Sequence, residues 1–99
     1  MTKVVSSLMA LGLTVSLSAN GASLFSSKGC TACHGSHGEA PALGVSKIIK
    51  DLSSEGIQTA LNGYKNGTYG GAMKSVMSAY ASPLSSDEVK TLADWISAQ

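Results

Sequence analysis

A shortage of core-forming side chains is the strongest limit on how this chain can fold. Its 99 residues include one Phe, one Trp and three Tyr. About 80 residues remain if the N-terminal segment is an export signal, a length near the lower limit for a self-sufficient hydrophobic core. Chains this short usually need a disulfide, a metal or a cofactor to complete the interior. Cys30 and Cys33 are too close for a disulfide between them to restrain much chain, so another group is expected to fill the interior.

The N-terminal segment has the three parts of a secretory signal peptide. Lys3 supplies a positive charge, residues 4–17 form an apolar run broken only by Ser, Thr and Gly, and small residues then lead to Ala19. The run is short and rich in serine, whereas a membrane span needs about 20 predominantly apolar residues. We therefore expect residues 1–19 to be removed on export and residues 20–99 to form one domain. An uncleaved membrane anchor is the alternative.

The charged residues argue against nucleic-acid binding. With Lys3 set aside, lysines and carboxylates are equal in number, and the chain has no arginine. It therefore lacks the fork-shaped side chain that recognises phosphates and bases, and no nucleic-acid partner is expected. The near-neutral balance also predicts weak electrostatic steering of protein partners.

Apolar periodicity predicts an all-α domain, and no alternating strand pattern occurs in the sequence. Residues 35–43, rich in glycine, are expected to form a loop. The predicted helical segments are residues 21–28, one or two turns within 45–52, a helix from Ser53 or Ser54 to Asn66-Gly67, residues 72–80, and a last helix from Ser85 or Ser86. Ser85 and Glu88 have the spacing of a capping box at the start of the last helix. The apolar stripe of that helix is Val89, Leu92, Trp95 and Ile96.

The cysteine spacing indicates the chemistry. Cys30-Thr31-Ala32-Cys33-His34 is a C-x-x-C-H sequence, the pattern of a c-type haem attachment site. Two thiols three positions apart can add to the two vinyl groups of one haem and form thioethers. His34 follows directly and can bind the iron through its imidazole. One turn of chain would thus both attach and ligate the haem.

Three alternatives explain this motif less well. Chance gives three specified letters in roughly one chain of this length per hundred, and less often for rare residues such as Cys and His. A thioredoxin-like redox pair needs a βαβ context, which the sequence lacks. A zinc site of Cys30, Cys33, His34 and His37 would place its histidines directly after the second cysteine, unlike the usual spacing. Export favours haem, because c-type cytochromes are assembled outside the cytoplasm.

Beyond the motif, residues 20–99 resemble a class I cytochrome c, and most closely the small bacterial c553-type cytochromes. The matching features, in order, are the short helix before Cys30, the segment 63–71, Met77, and Ala93-Asp94-Trp95. The resemblance implies about four short helices wrapped around one covalently bound haem. It also implies that the first and last helices cross, with Leu24 and Phe25 against a buried Trp95.

The resemblance assigns roles to two loop residues. Pro41 would present its carbonyl to the second ring nitrogen of His34, which would fix the tautomer and raise the basicity of this ligand. Tyr69, with the glycines that follow it, would lie near the haem edge. His37 has no iron-binding counterpart in the family and is expected in a solvated loop.

The sixth iron ligand in this family is a methionine. Met73 and Met77 are four residues apart and would share a helix face, so spacing alone does not choose between them. When the sequence is aligned with the family at Tyr69-Gly70-Gly71, Met77 falls at the position of the ligand. Met73 is then expected to pack on the haem ring. Many relatives carry a proline beside this methionine, whereas Met77 lies between Val76 and Ser78.

These expectations combine into electron transfer without enzymatic turnover. With His34 and Met77 both on iron, no coordination position would be open to a substrate, and the reduction potential should be positive. The resemblance implies a membrane quinol-oxidising complex as donor and a terminal oxidase, peroxidase or reductase as acceptor, met by a periplasmic monomer in transient contacts. Two alternatives remain open. One is a five-coordinate haem protein that binds gases or acts on peroxide, and the other is a fixed subunit or domain of a reductase, anchored through its N-terminus.

Overall fold

The computed structural model describes residues 20–44, 46–72 and 74–99. Within these ranges the chain is helical and has no strand, which confirms the all-α prediction. The five helices are α1 over residues 20–27, α2 over Thr31–His34, α3 over Ser54–Asn66, α4 over Lys74–Ala81 and α5 over Ser86–Ser97. About four were expected, and the additional short helix is α2, which carries the cysteine motif. The predicted signal peptide and its cleavage site lie outside the described residues.

Two 3₁₀ turns, Ala42–Gly44 and Ile49–Asp51, connect α2 to α3. The second lies within the segment predicted to hold one or two helical turns. The first lies at the end of the predicted loop, and Leu43 within it adopts the left-handed conformation with a φ of 54°. No local sequence signal predicts that conformation, because left-handed backbone is rare for a residue with a branched side chain.

Helix α3 begins and ends where its sequence predicts. The hydroxyl of Ser53 accepts a hydrogen bond from the amide of Gly56 at 3.0 Å, which caps the first turn. The helix stops at Gly67, whose φ of 79° places it in the left-handed region that favours glycine. Ile57 is buried on the face that packs against α5.

Helix α5 begins with the predicted capping box. The amide of Glu88 donates to the hydroxyl of Ser85 at 3.1 Å, and the carboxylate of Glu88 accepts from the amide of Ser85 at 2.9 Å. Its buried face forms the centre of the core, together with side chains from α1, α3 and the segment after α4. The buried apolar residues of the described ranges are Phe25, Ile57, Ala81, Leu84, Val89, Leu92, Ala93 and Ile96.

Helices α1 and α5 are in contact through Phe25 and Trp95, as expected. Their rings lie 5.1 Å apart between centroids at an angle of 40°. Gly21 allows this approach, because a Cβ at that position would overlap the Trp95 side chain. Trp95 is only half-buried, contrary to expectation. Its ring is also stacked against that of His37, at 6.2 Å between centroids and 22°, so this exposed loop histidine has a packing role that was not predicted.

None of the helices in the described ranges is long and apolar enough to cross a membrane. Residues 1–19, where the alternative of a membrane anchor was placed, are not among those described.

Candidate functional site

A cavity of about 710 Å³ lies between the helices. This volume falls within the range of roughly 300–1,000 Å³ typical of small-molecule and cofactor sites. Most of the side chains around it are apolar, and they come from every helix and from the loops on either side of α3. Core residues form much of the wall, so the core and the cavity are parts of one interior.

The two cysteines border the cavity from the same short turn. Gly29, with a φ of 83°, turns the chain from α1 into α2. Cys30 directly precedes α2 and Cys33 lies within it, and both are half-buried free thiols. Burial raises the pKa of the Cys30 thiol above its ordinary value, which favours the uncharged form. Both cysteines therefore border the same interior space.

His34 ends α2 and also borders the cavity. It is the one buried polar side chain of the described residues, with 6% of its surface exposed. Its Nδ1 atom has no hydrogen-bond partner among those residues, a situation that costs free energy in a protein interior. Burial lowers the pKa of His34 and so favours the neutral imidazole, which is the form that binds a metal.

Pro41 does not make the predicted contact with His34. Its carbonyl accepts a hydrogen bond from the amide of Gly44 at 3.0 Å and closes the 3₁₀ turn, while the His34 Nδ1 atom stays without a partner. Pro41 is exposed and lies outside the cavity wall, whereas Ala42 and Leu43 border it. The expected hydrogen bond is therefore absent here, and a role for Pro41 in binding a cofactor stays a prediction.

Met77 and Tyr69 border the same cavity as His34 and the two cysteines. Met77 is half-buried in α4, and Tyr69 lies in the loop between α3 and α4 with 38% of its surface exposed. The cavity thus brings together five of the six residues predicted for the site, all except Pro41. Met73, the other methionine considered as a ligand, is outside the described residues.

Tyr64 was not predicted as part of the site, although its aromatic neighbour Tyr69 was. Tyr64 borders the cavity and meets Tyr69 edge to face, with 5.1 Å between ring centroids. Burial, with Tyr69 as a smaller cause, raises the pKa of the Tyr64 hydroxyl, which therefore stays protonated. The sequence placed Tyr64 on an apolar helix face but gave no signal that this face borders a cavity.

Tyr80 is a further residue of the site that no sequence pattern indicated. It borders the cavity although 46% of its surface is exposed, and its ring lies against Gly29. The nearest atom of that ring would be 3.1 Å from a Cβ placed on Gly29. Because this contact joins α4 to the turn before Cys30, only the folded arrangement reveals it.

The residues around the cavity fit haem c. Two thiols from one turn can hold the haem, and a neutral imidazole is available to bind its iron. A methionine borders the same cavity. The volume and the mainly apolar lining suit a large planar cofactor that must be kept from water. Zinc fits less well, because the described residues contain no cluster of three or more His, Cys, Asp or Glu side chains arranged to hold a metal ion.

Comparison with known proteins gives the same result. The family profile "Cytochrome c" matches residues 18–99. A cytochrome c-553 from Nitratidesulfovibrio vulgaris is 36% identical over 89 residues, which cover 90% of this chain and 85% of the relative. A cytochrome c-553 from Helicobacter pylori is 42% identical over 69 residues, 70% of this chain and 69% of the relative. Another from that species is 36% identical over 96 residues, 97% of this chain and 96% of the relative. The chain therefore belongs to the cytochrome c family, as a small bacterial electron carrier of the c553 type with covalently bound haem c.

Proposed function

We propose that this protein is a periplasmic single-electron carrier whose haem iron is bound by His34 and Met77. The observation that carries the proposal is that both side chains border the cavity bordered also by Cys30 and Cys33. Haem c supplies an iron that changes its oxidation state by one electron. Cys30 and Cys33 would hold the haem, His34 and Met77 would bind its iron, and the mainly apolar lining of the cavity would limit contact with water.

Each residue has a distinct part in this proposal. Cys30 and Cys33 hold the cofactor covalently at one edge, and His34, neutral because it is buried, binds the iron from the same turn. Met77 would bind the iron from α4, which borders the same cavity. A thioether ligand favours the reduced iron, so the reduction potential of the haem should be positive. Tyr69 lies at the cavity near solvent, where its loop can cover the edge of the cofactor.

Two protein ligands leave no coordination position for a substrate. We therefore propose an electron carrier and not an enzyme, since an iron bound in this way can change its oxidation state but cannot bind a reactant. A five-coordinate haem protein that binds gases or acts on peroxide would instead need Met77 to be free. Whether Met77 occupies the sixth coordination position of the iron therefore distinguishes these two functions.

The proposed compartment rests on the N-terminal sequence, and the proposed partners rest on the family resemblance. The signal-like residues 1–19 support export to the periplasm, with residues 20–99 released as a monomer. We propose a membrane quinol-oxidising complex as the donor and a terminal oxidase, peroxidase or reductase as the acceptor. The near-neutral charge of the exported part supports short-lived contacts of small area with weak steering. Release of the protein from bacterial periplasm without detergent supports this assignment, and retention in the membrane fraction contradicts it.

Optical spectra of two methionine variants test the ligation. Met77→Ala should let carbon monoxide bind the reduced protein rapidly, abolish any methionine–iron charge-transfer band of the oxidised protein and lower the potential. Met73→Ala is the matched control and should do none of these. The opposite pattern would transfer the ligand to Met73. Rapid binding of carbon monoxide by the unaltered protein would instead favour the gas-binding function.

A further inference from the structure

The segment that carries Met77 is tied to the end of α3 by two side-chain hydrogen bonds. We propose that Ser78 and Lys65, which make these bonds, are positioning residues that hold Met77 toward the cavity. This inference rests on the proposed ligation of iron by Met77. Neither side chain is assigned any contact with the cofactor, and each acts through the placement of α4.

The first bond comes from the residue directly after Met77. The hydroxyl of Ser78 donates to the carbonyl oxygen of Tyr64 at 2.9 Å, in a partly buried position. Tyr64 lies in the last turn of α3, where the carbonyls have no amide partner further along the same helix. Ser78 therefore satisfies an acceptor that the helix end leaves free, and it fixes α4 beside its methionine.

The second bond is made by Lys65, the residue that follows Tyr64 in α3. The ammonium group of Lys65 donates to the carbonyl oxygen of Leu84, in the segment that follows α4. Leu84 is buried in the core, so this contact anchors the chain just beyond α4. The consecutive residues Tyr64 and Lys65 thus hold α4 near its middle and beyond its C-terminal end.

Helix α4 needs such restraints because its own packing is limited. Ala81 is its one fully buried residue in the described part of the chain, and Val76 and Tyr80 are exposed by 38% and 46%. The residues on either side of Met77 are Val76 and Ser78, neither of which fixes the backbone as a proline would. The hydrogen bonds to α3 therefore add directional restraints to the limited packing that positions Met77.

Loss of either bond should increase the fraction of molecules in which Met77 has left the iron. A hydrogen bond of ordinary net strength shifts such an equilibrium by about 3- to 10-fold. An added ligand that must displace the methionine reports this fraction, because its apparent Kd is inversely proportional to the population of the open form. Imidazole added to the oxidised holoprotein is a suitable probe.

The experiment is a spectroscopic imidazole titration at a temperature well below unfolding. Ser78→Ala should lower the apparent Kd about 3- to 10-fold, and Ser78→Thr, which keeps the hydroxyl, should restore it. Ser82→Ala is the matched control. It removes a hydroxyl that bonds to the carbonyl of Ser78 at 2.6 Å within the same segment and does not reach α3, so the Kd should not change. Lys65→Met, which keeps an apolar stem, should act in the same direction as Ser78→Ala.

A double-mutant cycle separates positioning from general stability. Once Met77→Ala has removed the ligand, adding Ser78→Ala should leave the Kd for imidazole unchanged. A further effect in that background, or a normal Kd for Ser78→Ala with Met77 present, would overturn the inference while the proposed function stands. If Met77→Ala itself leaves the Kd unchanged, the ligation and the inference both fail. Should Ser78→Ala not be obtained with haem, a normal Kd for Lys65→Met overturns the proposal equally.

Discussion

At the scale of single residues, α2 carries most of the cofactor chemistry in one turn. Cys30, Cys33 and His34 all border the cavity, and the helix that holds them ends at Gly35, whose φ of 83° turns the chain away. The burial of His34 keeps its imidazole neutral, because a charged ring would lose hydration. The two attachment residues and the proposed histidine ligand therefore come from neighbouring positions, whereas the burial of His34 depends on how the rest of the chain packs.

The first prediction concerns attachment by the two thiols. Denatured holoprotein should keep its haem and show no reactive thiol, because both sulfurs are consumed in thioethers. Cys30→Ser should keep the haem through Cys33 alone and lose one thioether. Mass spectrometry after acid–organic extraction measures both results. Loss of haem from the unaltered polypeptide on extraction would show that the cysteines do not bind it.

Motifs with local spacing could be predicted from the sequence, and contacts across the fold could not. The three residues of the C-x-x-C-H motif lie at one cavity because their spacing places them in one turn. The hydrogen bond from Ser78 to Tyr64 joins positions 14 apart in the chain, and nothing in either segment indicates it. The same applies to Pro41, whose carbonyl partner depends on the conformation of Leu43 in the adjoining turn.

At the scale of elements, helix ends are set locally and helix contacts are set by small residues. Ser53 and Ser85 cap α3 and α5 through bonds within three residues, which is why the sequence predicts these starts. The crossing of α1 and α5 depends instead on Gly21, buried under Trp95. The family resemblance predicted the partners Phe25 and Trp95, but the exposure of Trp95 and its stacking with His37 depend on the path of a loop.

The second prediction tests the crossing of α1 and α5. Gly21→Val should destabilise the protein by about 1–3 kcal/mol, because the new side chain would overlap Trp95 in a packed interface. Ala22→Val is the matched control, since Ala22 is exposed on the same helix. Urea denaturation of the two holoproteins gives the difference in free energy of unfolding. Equal losses in both variants would mean that helix propensity, and not the crossing, explains the effect.

The third prediction concerns Trp95 itself. Trp95→Ala should cost about 3 kcal/mol, the lower end of the range for truncating a large aromatic side chain, because the ring is only half-buried. His37→Ala should cost less and should expose Trp95 further, which a red shift of its fluorescence would show. Unchanged stability of Trp95→Ala would mean that α5 does not dock on α1 through this ring.

At the scale of the whole molecule, three hydrogen-bonded carboxylates favour the folded state at neutral pH. The amide of Ser85 lowers the pKa of Glu88, the ammonium of Lys90 and the hydroxyl of Ser54 lower that of Asp94, and the amide of His37 lowers that of Glu39. The ordinary pKa values are 4.5 for Glu and 3.8 for Asp. Since the unfolded chain binds protons more readily, stability is full above this range and is lost as the pH falls through it.

The fourth prediction follows from these shifts. The thermal midpoint of the holoprotein should fall as the pH is lowered below about 5, where the carboxylates become protonated. Glu88→Gln should lower the midpoint at pH 7 and flatten its decline in acid, because one of the titrating groups is gone. Glu55→Gln is the control, since no bond to that exposed carboxylate caps a helix in the described part of the chain. A midpoint that rises in acid would contradict the direction of the shifts.

The interior of this protein is shared between the core and the cofactor site. Of the eight buried apolar residues in the described ranges, all except Val89 and Ala93 border the cavity. The side chains that hold the helices together are therefore the same ones that the haem must cover. If the cavity were filled by water, most of the core would lose its apolar neighbours on one side, at a cost proportional to the area exposed.

The last prediction is that folding depends on the cofactor. The double variant Cys30→Ala/Cys33→Ala, which cannot attach haem, should be largely unfolded at 25 °C, because the domain formed by residues 20–99 has little apolar surface to spare. Circular dichroism should show low helicity and no cooperative thermal transition. Thr31→Ala, between the cysteines, keeps both thiols and should fold with haem. If the double variant instead shows full helicity and a cooperative transition, the helices pack without the cofactor, and the cavity is a preformed pocket that tolerates water.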